Sequence, residues 1–190
     1  MVEPLPDVYA RLKNNYPNNK YKDLQLINAA VNTESGSTSI YRISRDKEKA
    51  WKSIYRNTAN ASGVSSMDPN HIKTFLLRNA PDYFAENSVE EWIESITVPT
   101  LSVSDLWKKA DGHQVHLVVV DTEGFDGKIV RMILRDVIDL PMVILFEHKV
   151  LLAEDRNSTE RQLSEAGYSL FELGGDMCAV NKLNRVQHKN

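Results

Sequence analysis

Two continuous apolar runs in the second half of the chain predict buried strands. The runs are Leu117 to Val120 and Met142 to Phe146, and each lacks the polar alternation of a strand with one solvated face. Between them, apolar residues recur with helical period: Ile129, Val130, Ile133, Leu134 and Val137. The pattern predicts a strand, a helix and a second strand parallel to the first, joined by a right-handed crossover. The fold class predicted is therefore α/β.

The residues after this unit predict a short helix and an antiparallel hairpin. Thr159 and Gln162 have the spacing of a capping box, and Gly167 stands where a left-handed residue would end the helix. Tyr168 to Leu173 and Met177 to Asn181 are then two strands, separated by the turn residues Gly174, Gly175 and Asp176.

The first half of the chain gives weaker signals. Leu24 to Val31 and Ser37 to Ile43 predict two strands of a hairpin around a turn-rich stretch. The segment from Ser44 to Met67 has no clear period and is left open. The other predicted elements are a helix over Pro6 to Tyr16, a helix over Asn70 to Arg78, a strand over Ile96 to Val98 and a short helix capped by Ser102 or Ser104.

Composition narrows the class of protein without identifying its chemistry. The 190 residues are 42% hydrophobic and 26% charged, with 23 basic and 26 acidic side chains. These values predict one domain over residues 1–182, a polar tail over 183–190 and a cytoplasmic setting, with neither nucleic acid nor membrane as a partner. The single cysteine excludes an internal disulfide.

Acidic residues follow both buried strands, where ligands bind in doubly wound sheets. Asp121 and Glu123 come directly after the first strand, and Glu147 and His148 come after the second. We expect these groups to converge, so that a carboxylate or the imidazole could accept a proton from a substrate hydroxyl. Asp126 is most simply the N-cap of the following helix.

A metal-assisted enzyme is the competing chemical hypothesis for the same residues. Asp121, Glu123, Glu147 and His148 could in principle ligate a divalent cation. Their spacing is not diagnostic, and the chain has no cysteine cluster, Walker loop or nucleophile elbow. The site is therefore assigned without a metal.

Three segments together resemble the C-terminal half of FkbM-type methyltransferases: VVVDTEGFD at Val118 to Asp126, ILFEH at Ile144 to His148 and AGYSLFELGGDMCAV at Ala166 to Val180. Earlier segments, VEPLP, LINAAVN and GVSSMD, resemble that family's N-terminal part. The resemblance implies a Rossmann-like class I methyltransferase sheet, mostly parallel with a C-terminal antiparallel hairpin. It also implies S-adenosylmethionine as cofactor and a hydroxyl acceptor on a sugar, lipid or secondary metabolite.

The resemblance also implies roles for individual residues. Glu3 corresponds to the acid that holds the cofactor's ribose hydroxyls, and Asn28 to Ala30 would lie near the adenine. Asp121 to Gly124 would lie beside the methyl group and the acceptor. The catalytic residues implied are Asp121, Glu123 and His148, with Asp121 or His148 as the base.

One feature of the family is absent from the sequence. The family's first strand and glycine-rich turn should precede Glu3, where this chain has only Met1 and Val2. We therefore expect the central strand to be missing, and whether the chain is active as it stands is left open. An exposed sheet edge would then favour self-association. The alternative hypothesis is a noncatalytic binding domain or one half of a split enzyme.

Overall fold

The computed structural model describes residues 1–17, 20–55 and 64–181. Within them the chain is mixed α/β, with two four-stranded sheets and seven α-helices. It divides into two compact units, Met1–Leu101 and Ser102–Asn190. The predicted polar tail lies outside the described residues, and the single domain over residues 1–182 stays a prediction.

The first unit holds one sheet and four of the helices. Its elements in chain order are α1 (Pro6–Asn15), β1 (Ala30–Asn32), β2 (Gly36–Ile43), α2 (Glu48–Ile54), β3 (Ser65–Ser66), α3 (Pro69–Asn79), α4 (Pro81–Phe84) and β4 (Ile93–Ser102). The predicted helices over residues 6–16 and 70–78 are confirmed as α1 and α3. The strand predicted over Ile96 to Val98 is confirmed, although β4 is longer at both ends.

The predicted hairpin between residues 24–31 and 37–43 is wrong. The strand order is β1-β4-β2-β3, so β4 lies between the two strands expected to pair. β2 and β4 are antiparallel from Gly36 opposite Thr100 to Ile43 opposite Ile93. The Thr100 hydroxyl also donates to the Glu34 carbonyl at 2.9 Å, which fixes β4 against the connection between β1 and β2. β4 has ten residues, so it can form more backbone hydrogen bonds with β2 than the three-residue β1 could form across the connecting turn.

The segment that the sequence left open contributes to the core of the first unit. Trp51 of α2 is 1% exposed and packs against Trp92 and Phe75, with ring centroids 6.3 and 5.7 Å apart. Val64, beside β3, is buried in the same cluster. Aromatic burial of this size holds α2 in place despite the polar composition around it.

The second unit contains the strongest sequence pattern. Its elements are α5 (Val103–Lys108), β5 (Leu117–Val120), α6 (Asp126–Asp136), β6 (Val143–Glu147), α7 (Ala153–Glu165), β7 (Tyr168–Leu173) and β8 (Asp176–Asn181). Their strand order is β5-β6-β8-β7. The predicted strand-helix-strand unit is confirmed, since β5 and β6 are parallel with Leu117 opposite Val143. The C-terminal hairpin is confirmed as the antiparallel pair β7 and β8.

The mostly parallel sheet implied by the resemblance is wrong for the described strands. Of the strand pairs with a described register, β5–β6 is parallel, whereas β2–β3, β2–β4, β6–β8 and β7–β8 are antiparallel. A second parallel contact is an isolated bridge between Val2 and Ile27. Of the antiparallel pairs only β7–β8 is joined by a tight turn, and each of the others has at least one helix between its strands in the chain.

The predicted capping box at Thr159 and Gln162 is also wrong. Helix α7 begins at Ala153, and Thr159 is fully buried in its middle. The Thr159 hydroxyl donates to the Asp155 carbonyl at 2.8 Å and accepts from the Arg131 guanidinium at 2.6 Å. A threonine that bonds to the preceding turn can stay inside a helix. The helix end is as predicted, with Gly167 left-handed at φ 90°.

Alternation along the strands of the second unit creates two different sheet faces. On one face, side chains from Val120, Ile144, Phe146 and Ala179 are buried, as are Ile129, Val130, Ile133 and Leu163 of α6 and α7. The opposite face, called here the open face, keeps several large apolar side chains exposed. By register its apolar members are Leu117, Val119, Val143, Leu145, Cys178, Val180, Phe171 and Leu173, and it also carries Ser169, Glu147 and Asp176.

We predict that Gly127→Ala destabilises the second unit. A Cβ at position 127 would lie 2.8 Å from Thr159 Oγ1, 3.2 Å from Arg131 and 3.3 Å from Leu151. Overpacking of this kind costs about 1–3 kcal/mol, which lowers the Tm by several degrees and is measured by thermal unfolding. Gly36→Ala is the matched control, because its Cβ would meet nothing nearer than 3.9 Å. An unchanged Tm for Gly127→Ala would show that α6 and α7 are not closely packed at this position.

Candidate active site

Three carboxylates form a row across the second sheet at the carboxyl end of its parallel strands. Glu147 ends β6 and lies opposite Asp176, the first residue of β8. Val120 and Phe146 are the last registered pair of β5 and β6, so Asp121 comes next in line beside Glu147. Strand alternation places Asp121 on the face of Val119 and Glu147 on the face of Leu145. We call Asp121, Glu147 and Asp176 the acidic row.

The predicted convergence of the carboxylates is found in their electrostatics. Burial raises the pKa of the Asp121 carboxyl above its ordinary value, and three other carboxylates act in the same direction: Glu123, Asp126 and Asp176. Burial also raises the pKa of Glu147, reinforced by Glu123, Asp121, Asp126 and Asp176. Like charges close together disfavour ionisation of each member. Asp121 and Glu147 are therefore more easily protonated than ordinary carboxyl groups.

The turn after β5 has an unusual backbone that aims its side chains. Glu123 and Gly124 are both left-handed, at φ 52° and 98°. Glycine adopts this region freely, but a side chain there is uncommon and marks a conformation fixed by its surroundings. Glu123 is held in this way next to Asp121, so the turn presents two carboxylates together.

Asp126 fixes that turn, and its predicted role as N-cap is wrong. It is the first residue of α6, whose N-cap is Phe125. Its side chain is completely buried and accepts from the Thr122 N–H at 3.2 Å, the Thr122 hydroxyl at 3.0 Å and the Gly124 N–H at 3.1 Å. A buried carboxylate at a helix start is stabilised by such donors and by the helix dipole. Asp126 therefore turns back to the loop instead of capping the helix.

His148 lies on the other face from the acidic row. It follows Glu147, so alternation directs its side chain to the side of Phe146, where it is 2% exposed. Its Nε2 is 3.6 Å from a carboxylate oxygen of Glu172 on β7. Within the described residues neither ring nitrogen makes a hydrogen bond. The structure separates His148 from the carboxylates that were expected to share its crevice, and its role as a base stays a prediction.

In the first unit, the structure brings Glu3 and Asn28 together. The Glu3 N–H donates to the Ile27 carbonyl at 3.0 Å, so both residues follow the parallel bridge of Val2 and Ile27. The Asn28 amide donates to the Glu3 and Pro4 carbonyls at 2.8 and 2.9 Å. Ala30 begins β1 and is 5% exposed.

The Glu3 carboxylate is partly buried, and the protein donates a hydrogen bond to one of its two oxygens. Its Oε1 accepts from the Leu5 N–H at 2.8 Å, whereas its other oxygen makes no hydrogen bond within the described part of the chain. Burial raises the pKa of Glu3, opposed by the Leu5 hydrogen bond and by Arg11. This carboxylate can accept hydrogen bonds from a ligand hydroxyl.

The metal hypothesis gains no support from the geometry. Over residues 1–17, 20–55 and 64–181, no three His, Cys, Asp or Glu side chains are grouped so that they could hold an ion. The carboxylates of the acidic row therefore do not form a group that could hold an ion, and His148 lies on the opposite face.

Sequence reasoning missed one member of this site and assigned another the wrong role. Asp176 was read only as part of the hairpin turn, although its position after Gly174 and Gly175 places it opposite Glu147 once the hairpin forms. Asp126 was recognised, but not as the anchor of the turn. Its spacing of two and four residues from Gly124 and Thr122 was the available signal.

The second unit has a parallel strand pair with carboxylates after its strands, and the first unit has a short parallel contact next to Glu3. These are features of an α/β domain that binds its ligand at strand ends. The Methyltransferase FkbM domain matches residues 1–170, and the chain belongs to this family. Neither the curated proteins nor the solved structures contain a match. No helix in the described residues is long and apolar enough to cross a membrane.

We predict that Asp126→Ala loosens the turn after β5. Without the carboxylate, the amides of Thr122 and Gly124 lose their acceptor, and the loss of such buried bonds costs about 1–3 kcal/mol. Hydrogen exchange at these two amides should accelerate about tenfold or more. Asp126→Asn keeps one carbonyl acceptor and should have an intermediate effect. Equal exchange in wild type and Asp126→Ala would show that the carboxylate does not hold the turn.

We predict that Glu147→Gln stabilises the protein at neutral pH and not in acid. The pKa of Glu147 is raised in the folded state, so its contribution to stability is present below the ordinary pKa and is lost as pH rises through the raised pKa. Removing the charge removes its repulsion with the neighbouring carboxylates and should raise the Tm at pH 7. The rise should be only about 1–2 °C, because solvent screens much of the repulsion.

The gain should disappear when the pH falls below the ordinary range of carboxyl groups, about 4. Glu86→Gln, an exposed position in the first unit, is the control and should leave the Tm unchanged at both pH values. A stabilisation by Glu147→Gln that is the same at pH 7 and pH 4 would contradict the assigned repulsion.

Proposed function

We propose that the chain is an O-methyltransferase domain that uses S-adenosylmethionine and methylates a hydroxyl group of a small molecule or glycan. Membership in the FkbM family supplies the class of reaction. The observation that carries the finer proposal is the acidic row, in which the pKa values of Asp121 and Glu147 are raised, beside a turn held by Asp126. Family membership also favours this proposal over a noncatalytic binding domain.

Glu3 and Asn28 are proposed to receive the nucleoside part of the cofactor. A carboxylate can accept from two vicinal hydroxyls, and the oxygen of Glu3 that lacks a protein donor suits this role. Asn28 holds the backbone of Glu3 and Pro4, so it positions the carboxylate. Ala30, small and buried, adds a non-polar surface near the adenine. The residues present thus fit the ribose end of the cofactor.

Asp121 is proposed as the base that accepts the proton of the acceptor hydroxyl. The bound cofactor supplies an electrophilic methyl group on a sulfonium. The acceptor oxygen needs an in-line position and a group that takes its proton. Asp121 is exposed at the strand end, and its raised pKa makes it a better proton acceptor than an ordinary aspartate. Glu123, held in the same turn, is proposed to orient the hydroxyl. His148 is the second candidate base.

The charge of the site favours one kind of acceptor. Five carboxylates influence one another here: Asp121, Glu123, Asp126, Glu147 and Asp176. A phosphorylated or carboxylated acceptor would be repelled, whereas a neutral polyol, a sugar or a cationic metabolite would not. Neutral or cationic hydroxyl compounds are therefore the proposed substrate class.

The experiment is a methyl-transfer assay with isotope-labelled cofactor and a panel of neutral, cationic and phosphorylated hydroxyl acceptors. Asp121→Asn should lower kcat about 10²–10⁴-fold and leave the cofactor Kd unchanged. Glu3→Gln should raise the cofactor Kd about tenfold, as expected for the loss of a charge-assisted hydrogen bond. Glu86→Gln is the control for both measurements.

Two outcomes would contradict the proposal. One is the absence of transfer to every hydroxyl acceptor when calorimetry shows that the cofactor is bound. The other is an Asp121→Asn variant as active as wild type, which would move the role of base to another residue. His148→Gln then tests the second candidate.

A further inference from the structure

A connected group of ion pairs joins three elements of the first unit. Arg42 of β2 is 8% exposed, and its guanidinium donates to Asp7 at 2.7 Å and to Glu94 of β4 at 2.5 Å. Arg45 donates to the other oxygen of Asp7 and to Glu48 of α2. A guanidinium buried this deeply needs carboxylate partners, since an unpaired charge there would be costly. We call these five residues the ion-pair network.

Asp7 is the member of the ion-pair network that belongs to α1, and it lies in the first turn of that helix. The helix has few other attachments, because none of its residues is buried and no side chain caps its N-terminus. Leu5, directly before it, is 2% exposed, and the Tyr9 hydroxyl donates to the Leu26 carbonyl at 3.2 Å. Asp7 thus supplies a charged link between the start of α1 and β2.

The start of α1 also holds the carboxylate of Glu3. Leu5 is the N-cap residue of the helix, and its N–H donates to Glu3 Oε1 at 2.8 Å. The Leu5 carbonyl in turn accepts from the Tyr9 N–H at 2.8 Å. Burial raises the pKa of Glu3, whereas the Leu5 hydrogen bond and the charge of Arg11 on α1 lower it. A displacement of the first turn would therefore move both the donor that orients Glu3 and a cation that acts on it.

We propose that Asp7 is a positioning residue for the cofactor: paired with Arg42, it fixes the first turn of α1 and so aims the Glu3 carboxylate at the ribose hydroxyls. The inference rests on the proposed role of Glu3 in binding the cofactor. Asp7 acts through the Leu5 N–H, and its own carboxylate is occupied by the two arginines.

The exposure of Asp7 indicates that orientation matters more here than stability. Its side chain is 43% exposed, so solvent screens its ion pairs, and pairs of this kind contribute little to the stability of a fold. If Asp7 is removed, Arg42 keeps Glu94 and Arg45 keeps Glu48, so neither guanidinium is left without a carboxylate. The fold should therefore tolerate the loss of Asp7, which makes its effect on Glu3 measurable.

The first test measures the affinity of the full chain for S-adenosylmethionine by calorimetry. Asp7→Ala should raise the cofactor Kd about three- to tenfold, because a less well-ordered carboxylate binds more weakly. Glu48→Ala is the matched control and should leave the Kd unchanged. Glu48 also pairs with Arg45 and also lies in the first turn of its helix, but α2 does not hold Glu3. Thermal unfolding confirms that each variant is folded.

A double variant separates positioning from a general effect on the first unit. In the Glu3→Ala background there is no carboxylate for Asp7 to position, so adding Asp7→Ala should raise the Kd no further. A purely structural role would weaken binding by the same factor in both backgrounds, and this result would overturn the proposal. An unchanged Kd in Asp7→Ala alone would also overturn it.

Nuclear magnetic resonance tests the same contact without the cofactor. The Leu5 amide proton donates to Glu3, so its chemical shift should move as the Glu3 carboxyl titrates. The movement should be absent in Glu3→Ala, smaller in Asp7→Ala than in wild type, and unaffected in Glu48→Ala. An equal movement in wild type and Asp7→Ala would show that Asp7 does not hold Glu3. If the movement depends on Asp7 but wild type binds no cofactor, the proposed function fails and the positioning of Glu3 by Asp7 stands.

Discussion

The mutual repulsion of carboxylates at one end of the second sheet is the constraint on which the rest of this site depends. Glu147 and Asp176 lie opposite each other in hydrogen-bonded strands, and Asp121 directly follows β5, so the fold holds the three carboxylates close together. The Asp126 carboxylate accepts hydrogen bonds from two backbone N–H groups and a hydroxyl. These bonds anchor the turn that carries Asp121 and Glu123, and they offset part of the repulsion between the carboxylates. Fixed negative charge near a strand end is a feature of sites that receive protons or cations.

The sequence predicted the elements in which local and tertiary preferences agree. The apolar runs of β5 and β6, the helical period of α6 and the Gly174–Gly175 turn each point to the structure observed. It failed where pairing is nonlocal. Nothing near Ser37 to Ile43 indicates that its partner is Ile93 to Ser102, some fifty residues later. The capping box predicted at Thr159 was wrong for a related reason, because the position of Thr159 depends on a contact with Arg131 of another helix.

The acidic site was predicted in part. Residues that directly follow a parallel strand can be located from the sequence, because the carboxyl ends of neighbouring parallel strands meet at one edge. Side chains alternate between the two faces of a sheet, so the face of each residue depends on where the strand is judged to end. An error of one residue in that position moves the side chain to the opposite face. This rule places Glu147 in the acidic row and His148 among the buried side chains on the other face. Asp176 could be placed only once the partner of β8 was known.

The tip of the C-terminal hairpin closes the end of β6, since the Gly175 carbonyl accepts from the N–H groups of both His148 and Lys149. β8 also supplies one carboxylate of the acidic row and lies between β6 and β7. During synthesis on the ribosome, β5, α6 and β6 emerge tens of residues before this hairpin. The nascent chain can form its parallel pair early, but the arrangement of charges at the strand ends is complete only after residue 176 has left the exit tunnel and β8 has entered the sheet.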